Sequence, residues 1–489
     1  MNLPQLNRKN AGLSDAAPVR IVHLGLGAFH RAHQAWYTQR ADPDGVWGIA
    51  AFTGRRPDAA LALAAQDGLY TLIERSDSGD TFEVISSIVE ANDGADVPRL
   101  MELVASPATA LVTLTITEAA YNLGPDGRLD LANPAVAADV ASLRRGLRAE
   151  GDKSAPVSEP DRLSGAGGRD DRSWPTTAGG RLVMALAARR RADAGGIAVV
   201  SCDNLANNAV AAREAVHGLA AAIDGGLTAW ISENVSFVGT SVDRITPRTT
   251  PAEIGLVADA TAMRDASPVV TEPFRNWVLS GAFPAGRPDW ESAGAVIVDD
   301  IEPFENRKLW LLNGAHSLLA YAGQLRGHAT VAQALADPDC STWISEFWDE
   351  AEANLPARGL DIPDYRSALL ERFGNSRIAH YLEQIAIDGS SKLRMRALPV
   401  LEAERAAGRS GRGAARIIGA WVAYLRGTRV RQEPIHDSAA ERIRDALALP
   451  AGEDTTALLA LLDSSLPANT DVVELIESLA RSFAASRIS

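Results

Sequence analysis

Along the first part of the chain, short apolar and β-branched runs alternate with helix-forming stretches, and this alternation narrows the fold more than any other feature. Ile21–Leu24, Trp47–Phe52, Leu111–Thr117 and Gly196–Ser201 are such runs, each bounded by glycine or polar residues. A strand apolar along its whole length buries both faces, so it belongs in a sheet covered by helices on both sides. Helical stretches lie between them, at Gln34–Arg40 and over 182–194. Such alternation makes a largely parallel, doubly wound sheet, with Leu111–Thr117 central. Tyr70–Glu74 and Phe82–Val89, joined by the polar Ser76–Gly79, read instead as an antiparallel pair. From about Glu305 helical periodicity takes over, with helices expected near 308–325, 328–336, 341–352, 365–373, 376–387, 413–426, 438–447, 455–463 and 471–485. The expected class is α/β: a doubly wound N-terminal domain over 1–294, then a mostly α-helical domain over 295–489. The length of 489 residues agrees, being too long for one ordinary core. Residues 151–174, rich in Gly, Ser, Asp and Pro, read as a surface loop, because strand patterns resume after them.

A net charge of −14 argues against nucleic acid or anionic membrane as a partner. No apolar run reaches the ~18 residues of a spanning helix, and the first residues lack the pattern of a signal peptide. The cytoplasm is the expected location. Cys202 and Cys340 are the only cysteines, too few for a disulfide framework, and Cys202 reads as a small buried filler.

The first strand runs into Gly25-Leu26-Gly27-Ala28-Phe29-His30-Arg31-Ala32-His33. Strand, Gly-x-Gly and helix form a candidate dinucleotide-binding turn. Gly25 permits the tight turn, and Gly27 lets the backbone approach a pyrophosphate. His30 stands where the third glycine of the usual pattern would be, which weakens the match. His30 and Arg31 either approach the cofactor phosphates or pack the turn, and His33 reads as structural. The second strand ends in Thr53-Gly54-Arg55-Arg56-Pro57-Asp58, with no early carboxylate for a ribose 2′-hydroxyl. Arg55 or Arg56 can pair with a 2′-phosphate, which would favour NADP, or both are solvated arginines at a helix start.

In the second half, Lys308-Leu-Trp-Leu-Leu-Asn313-Gly-Ala-His316 places an amine, an amide and an imidazole at i, i+5 and i+8. On an α-helix these project within an arc of roughly 140°. The apolar residues between them suggest a buried helix, and burial lowers an amine's pKa. A lysine so tuned serves as a general base, and an amide can donate to a developing alkoxide. Equally, a lone lysine on such a helix can simply reach solvent. No His, Cys and Asp spacing suggests a metal site, and lysine is a poor zinc ligand.

Together with Thr115-Ile-Thr117-Glu118 followed by Tyr121, Ser201-Cys-Asp-Asn204, Val242-Asp243-Arg244-Ile-Thr-Pro247, Glu272-Pro-Phe-Arg-Asn-Trp277 and Asp388-Gly-Ser-Ser-Lys392, these segments resemble the mannitol dehydrogenase family of polyol-specific long-chain dehydrogenases and reductases. The resemblance covers nearly the whole chain. It implies a Rossmann-type N-terminal domain, a mostly helical C-terminal domain, NAD(H) or NADP(H) as cofactor, and hydride transfer without a metal. It implies Lys308 as general base, Asn204 and Asn313 as an oxyanion hole, and His316 as an orienting group that also contacts substrate. Glu305 would conduct the proton between Lys308 and solvent. Lys392, Asp243 and Arg244 would line the substrate site. Gly25, Leu26, Gly27, Ala28 and Phe29, with Arg55, Arg56, Thr117 and Glu118, form the cofactor-binding set. Glu118 ends a central strand, where ligands gather; a structural pairing with Arg244 accounts for it equally well.

The family acts on neutral polyols and on uronates. The sequence favours a polyol/ketose oxidoreductase of the mannitol 2-dehydrogenase type, with a fructuronate or tagaturonate reductase as the alternative. Arg394 and Arg396 add cationic charge beyond Lys392, which suits a carboxylate substrate or a solvated face. A catalytically silent nucleotide-binding sensor is the alternative of another class. Small-molecule polyol, ketose or ketouronate is the expected partner, and the chain is expected to be a monomer or a weak homo-oligomer.

Overall fold

The computed structural model describes residues 3–151 and 174–485. The expected loop over 151–174 falls almost wholly outside them. The described chain forms two compact units: residues 1–75 with 79–301, and residues 302–489 together with 76–78.

Among its described residues the first unit holds eleven strands: β1 Val19–Leu24, β2 Gly48–Phe52, β3 Tyr70–Ser76, β4 Gly79–Ile85, β5 Ile88–Asn92, β6 Leu111–Leu114, β7 Ile197–Ser201, β8 Val235–Asp243, β9 Val269–Thr271, β10 Asn276–Ser280 and β11 Val296–Ile297. Eight of them make one sheet in the order β11-β10-β8-β7-β6-β1-β2-β5, and β4-β3-β9 make a second, smaller sheet. From β5 across to β8 every pairing is parallel, and β10 turns the edge antiparallel. β11 lies in this sheet beyond residue 294, and the second unit begins at Glu302.

Alternate residues of the apolar strands feed two separate cores. Val22, Leu24, Val112, Leu114 and Val199 pack on one face with helices Val97–Ala105, Ala178–Arg191 and Asn208–Ala221. Ile21, Ile49, Leu111, Ala198 and Val200 pack on the other with Trp36, Tyr37, Trp277 and Trp290. This two-sided burial is why β2, β6 and β7 are buried at every position.

Three expected elements differ. Phe82–Val89 is not one strand: it divides into β4 in the small sheet and β5 in the large one. Strand β6 stops at Leu114, three residues early, where Thr115 turns its backbone amide to Leu24 and its hydroxyl to Gly25. The helix expected at Gln34 opens earlier, at Ala28, and is interrupted at His33.

Residues 302–485 of the second unit are mostly helical. Its centre is a continuous helical segment, Glu302–Gly323, in which α-helical turns alternate with π-helical ones at Lys308–Gly314 and Leu319–Gly323. Helices Pro338–Glu352, Gly389–Arg396 and Arg412–Arg431 pack around it. Gly389–Arg396 and Leu398–Ala406 are helices not among those expected; Gly389 and Pro399 stand in their first turns, where glycine and proline are tolerated. The helix expected over 376–387 is reduced to Leu382–Ile385. No helix among the described residues is long and apolar enough to cross a membrane.

Candidate functional site

In the first unit the candidate residues collect at the carboxyl ends of β1, β2, β6, β7 and β8. Strand order reverses at β1, which has β2 on one side and β6 on the other. Such a switch point opens a crevice beyond the strand ends. Gly25, the first residue past β1, has φ +112. A Cβ there would lie 2.7 Å from the carbonyl carbon of Thr115 and closer still to its oxygen. Only glycine lets β1 and β6 end this close together. Gly27 differs: its backbone is extended, and a Cβ would meet nothing nearer than the Gly25 oxygen at 3.6 Å. Space beside the Gly27 backbone, at the start of the Ala28–Ala32 turn, is what a dinucleotide pyrophosphate needs, so these residues fit such a group. Thr117 and Glu118 are exposed just past β6, and Arg55 and Arg56 are exposed past β2. Arg56 makes only a solvated 3.6 Å pair with Asp58.

The polar residues of the glycine turn are structural. His30 is fully buried, stacked on His23 with ring centroids 3.3 Å apart. Burial first, then the neighbouring His23, holds its imidazole well below the usual pKa, so it is neutral. Arg31 donates to the Gly27 carbonyl and to Ser267. His33 bonds the Asn276 carbonyl at 3.0 Å and packs against Phe29, Tyr37 and Trp277.

Strand β7 delivers Ser201, then Cys202, Asp203 and Asn204. Cys202 is buried, and burial pushes its thiol well above the usual range. Asn204 is exposed. The carbonyl of Asp203 accepts from the Leu205 amide at 2.9 Å and from the Asn208 side chain at 3.0 Å. Asp243 ends β8, half-buried. Arg244 is committed to internal contacts: it donates to the Glu272 carbonyl (3.0 Å), the Ala32 carbonyl (2.6 Å) and Glu74 (2.7 Å), with its guanidinium 5.2 Å from the Trp36 ring centre. The partner of Arg244 is therefore Glu74, not Glu118, and its three nitrogens hold the fold rather than reach for substrate.

In the second unit Glu305, Lys308, Asn313 and His316 share the segment Glu302–Gly323. The π-turn changes the geometry expected from an α-helix. Its bonds run i→i+5, so Lys308 and Asn313 sit one turn apart and close to one face. A widened turn loosens the ordinary carbonyl bonding, and side chains supply donors. Trp348 donates to the Leu311 carbonyl at 2.7 Å, and Ser317 to the Asn313 carbonyl at 3.1 Å. Gly314 permits the segment to lie against helix Pro338–Glu352: a Cβ there would be 2.7 Å from Cζ of Phe347. Leu311 and Leu312 are buried, Lys308 and Asn313 are half-buried, and Glu305 is buried.

His316 is buried, and its Nε2 has no hydrogen-bond partner. Its ring lies 4.7 Å from Phe373 and edge-on to His380 at 4.8 Å. Burial, followed by the charges of His380, Arg372, Arg396 and Lys392, holds it well below the usual imidazole pKa. It is a neutral imidazole with a free nitrogen, in a cationic surround. Arg372, Phe373 and His380 were not singled out from the sequence; no local spacing connects them to His316. Lys392 donates to the Ile385 carbonyl at 3.0 Å, and burial, then Arg396, lowers its pKa. Arg396 reaches Ser317 at 3.1 Å, while Arg394 is exposed and donates to the Leu461 carbonyl. Arg394 thus ties down helix Glu453–Leu462 and is removed from the carboxylate candidates. No group of three or more His, Cys, Asp or Glu among the described residues is placed to hold a metal.

The chain is similar to known proteins over both units. Residues 19–292 match the model of the mannitol dehydrogenase Rossmann domain, and residues 300–483 that of the mannitol dehydrogenase C-terminal domain. The chain is 37% identical over 420 residues to D-mannonate oxidoreductase of Escherichia coli strain K12, covering 83% of this chain and 80% of that one. It is 34% identical over 422 residues to mannitol 2-dehydrogenase of Cereibacter sphaeroides, covering 83% and 81%. Among solved structures it is similar to Pseudomonas fluorescens mannitol 2-dehydrogenase in ternary complex with NAD and D-mannitol, with a TM-score of 0.75, 32% identity, and coverage of 98% and 97%.

Proposed function

From the premise that the chain belongs to the mannitol dehydrogenase family and is an oxidoreductase, we propose that it interconverts a polyol and a ketose with NAD(H) or NADP(H), using Lys308 as the general acid/base. The observation that carries this reading is the composition of the Glu302–Gly323 segment: amine, amide and a neutral imidazole with an unpartnered buried Nε2 on one helix. A buried nitrogen left unpaired costs about 1–3 kcal/mol, which a substrate hydroxyl bonded to it would offset.

When bound, a nicotinamide would supply the hydride acceptor in oxidation and the donor in reduction. Lys308, neutral in the oxidising direction, takes the hydroxyl proton, and Glu305 passes it on. The amide donor of Asn313 stabilises the developing alkoxide, and Asn204 is the amide donor that the first unit offers for the same role. His316 fixes the hydroxyl through Nε2. In reduction Lys308 returns the proton. Gly25, Leu26, Gly27, Ala28, Phe29, Thr117 and Glu118 hold the dinucleotide; Arg55 and Arg56 are the groups able to accept a 2′-phosphate. Asp243 and Lys392 remain the substrate-lining candidates.

A second reading, reduction of a ketouronate, is favoured by one observation: the charges of Arg372, Arg396 and Lys392 all act on His316. A substrate carboxylate would be drawn to such a surround. The similarity to D-mannonate oxidoreductase leans the same way. Oxidation of NADH and of NADPH, followed with D-fructose, D-xylulose, D-fructuronate and D-tagaturonate, tests both. Turnover of the neutral ketoses supports the first reading, and turnover confined to the ketouronates replaces it with the second. Cofactor binding without turnover of any of them would refute both and leave a nucleotide-binding sensor.

A further inference from the structure

We propose that Tyr121, Ser201 and Asp203 form a buried hydroxyl–carboxylate triad that positions the turn carrying Asn204; the inference rests on the reading of Asn204 as an oxyanion donor. Tyr121 closes the short 3-10 turn Glu118–Tyr121 after β6, and Ser201 ends β7. All three residues are buried. The Tyr121 hydroxyl donates to Oδ2 of Asp203 at 2.5 Å, Ser201 Oγ is 3.4 Å from the same oxygen, and the two hydroxyls bond each other. Asp203 is also held by its main chain, through the Leu205 amide and the Asn208 side chain. Asn208 in turn bonds both polar atoms of the Thr240 backbone, and Thr240 Oγ1 donates to the Ser201 carbonyl at 2.7 Å. Asn204 is thus the exposed residue directly after a carboxylate fixed at both ends. Tyr121 also packs in the hydrophobic core.

The triad holds the turn in one protonation state. An ionised carboxylate only accepts: Oδ2 of Asp203 accepts from the Tyr121 hydroxyl, and the Ser201 hydroxyl hydrogen is shared between that oxygen and the Tyr121 oxygen. A protonated Asp203 loses its charge, so the charge-assisted bond from Tyr121 weakens and the turn loosens. Burial raises the Asp203 carboxyl to about 7, against the donors Tyr121 and Ser201 and a backbone bond with Ile116. The other titratable groups facing it are Tyr121 and Cys202, both pushed upward by burial, so neither changes charge near neutrality. Neighbouring elements contribute Asn208 and Thr240, which do not titrate.

The full-length enzyme, Tyr121→Phe, Ser201→Ala and Asp203→Asn would be compared with D-fructose and D-fructuronate over pH 5–9. In Tyr121→Phe, kcat should fall about tenfold or more while cofactor affinity stays within about twofold. Its acid limb in the pH profile should move up by about one unit, the size of one lost hydrogen bond to the carboxylate. Ser201→Ala should shift the limb the same way by less, and Asp203→Asn should abolish it. Amide protection over residues 202–206, corrected for intrinsic exchange, should show the same shift without any turnover. If Tyr121→Phe does not fold, Ser201→Ala, which leaves the aromatic ring in place, decides the matter. Wild-type kcat and an unmoved limb and protection midpoint in the folded variants would overturn the triad. A wild-type enzyme inactive on both ketoses would count against the functional reading instead, with the protection midpoint still judging the triad.

Discussion

Two glycines of one turn should respond to the same substitution in opposite ways. At Gly25 a methyl group would stand 2.7 Å from the Thr115 carbonyl carbon, against an ordinary carbon–carbon contact of about 3.5–4.0 Å. The ends of β1 and β6 would have to part by about 1 Å at the switch point. The backbone angle of +112° adds strain of about 1–3 kcal/mol for any residue with a Cβ. Overpacking adds a further cost of about 1–3 kcal/mol. Gly25→Ala should therefore destabilise the first unit by about 2–6 kcal/mol. At Gly27 the backbone is extended and a methyl group meets nothing closer than 3.6 Å. Gly27→Ala should leave stability unchanged or raise it by under about 1 kcal/mol, through the unfolded chain. The same methyl would occupy the space a pyrophosphate needs, so cofactor affinity should drop at least about tenfold, or about 1.4 kcal/mol. Urea unfolding, with amide exchange of the 21–24 and 111–114 strands, reads the first effect. Fluorescence titration with NADH and NADPH reads the second. Wild-type cofactor affinity in Gly27→Ala would refute the placement of the pyrophosphate at this turn. A wild-type unfolding midpoint in Gly25→Ala would refute the close strand contact.

The other expectations are more local. Asn313→Ala should fold normally and lose about 10²–10³ in kcat, the usual cost of one oxyanion donor; steady-state kinetics beside circular dichroism checks it, and near-normal turnover excludes the role. Arg189 is fully buried and donates to six carbonyls, those of Val104, Ser106, Thr109, Ala194, Gly195 and Gly196, without a carboxylate partner. Arg189→Leu strands these acceptors and should cost about 3–5 kcal/mol in the first unit; a loss below about 1 kcal/mol in urea unfolding would show that the carbonyls find other donors. In the second unit, burial opposes the charge on Asp454 and Glu477, but hydrogen bonds from Arg426 outweigh it and hold both carboxyls below their usual range. A depressed carboxyl contributes stability above its unfolded pKa of about 4 and loses it as pH falls through the lower folded value. Protection of helix Thr470–Ala485 should therefore weaken below about pH 4 in the wild type, and Arg426→Gln should show weaker protection at neutral pH with a flatter acid dependence. An unchanged pH profile in that variant would remove the network from the account.

The parts of the fold that were legible are those where burial acts on the local sequence. β2, β6 and β7 announce themselves because both faces are covered, so no charged residue interrupts them. The passage from strands to helices near Glu305 was visible for the same reason. What was hidden depends on partners distant in sequence. Nothing within Phe82–Val89 shows that its two halves pair with different sheets. The π-turn at Lys308–Gly314 uses the same residue types as an α-helix. It is supported by Trp348, Ser317 and Arg396, only one of which is near in sequence.

The same distinction governs the site. Lys308, Asn313 and His316 could be singled out because one helical segment carries all three, within an arc of roughly 140° on an α-helix. The cations were harder to judge, because charge in a sequence does not say what it is bonded to. Arg244 and Arg394 read as substrate groups and are engaged by Ala32, Glu272 and Glu74, and by Leu461. Arg372, unremarkable in sequence, acts on His316. A cation that already donates to protein acceptors gains little from a ligand, whereas an unpartnered buried nitrogen gains a full hydrogen bond. By that criterion Nε2 of His316 and Nε of Arg396, both buried without a partner, are the atoms where substrate contact has most to offer. Substrate charge should therefore be decided around His316 and Arg396 rather than at the exposed Arg394.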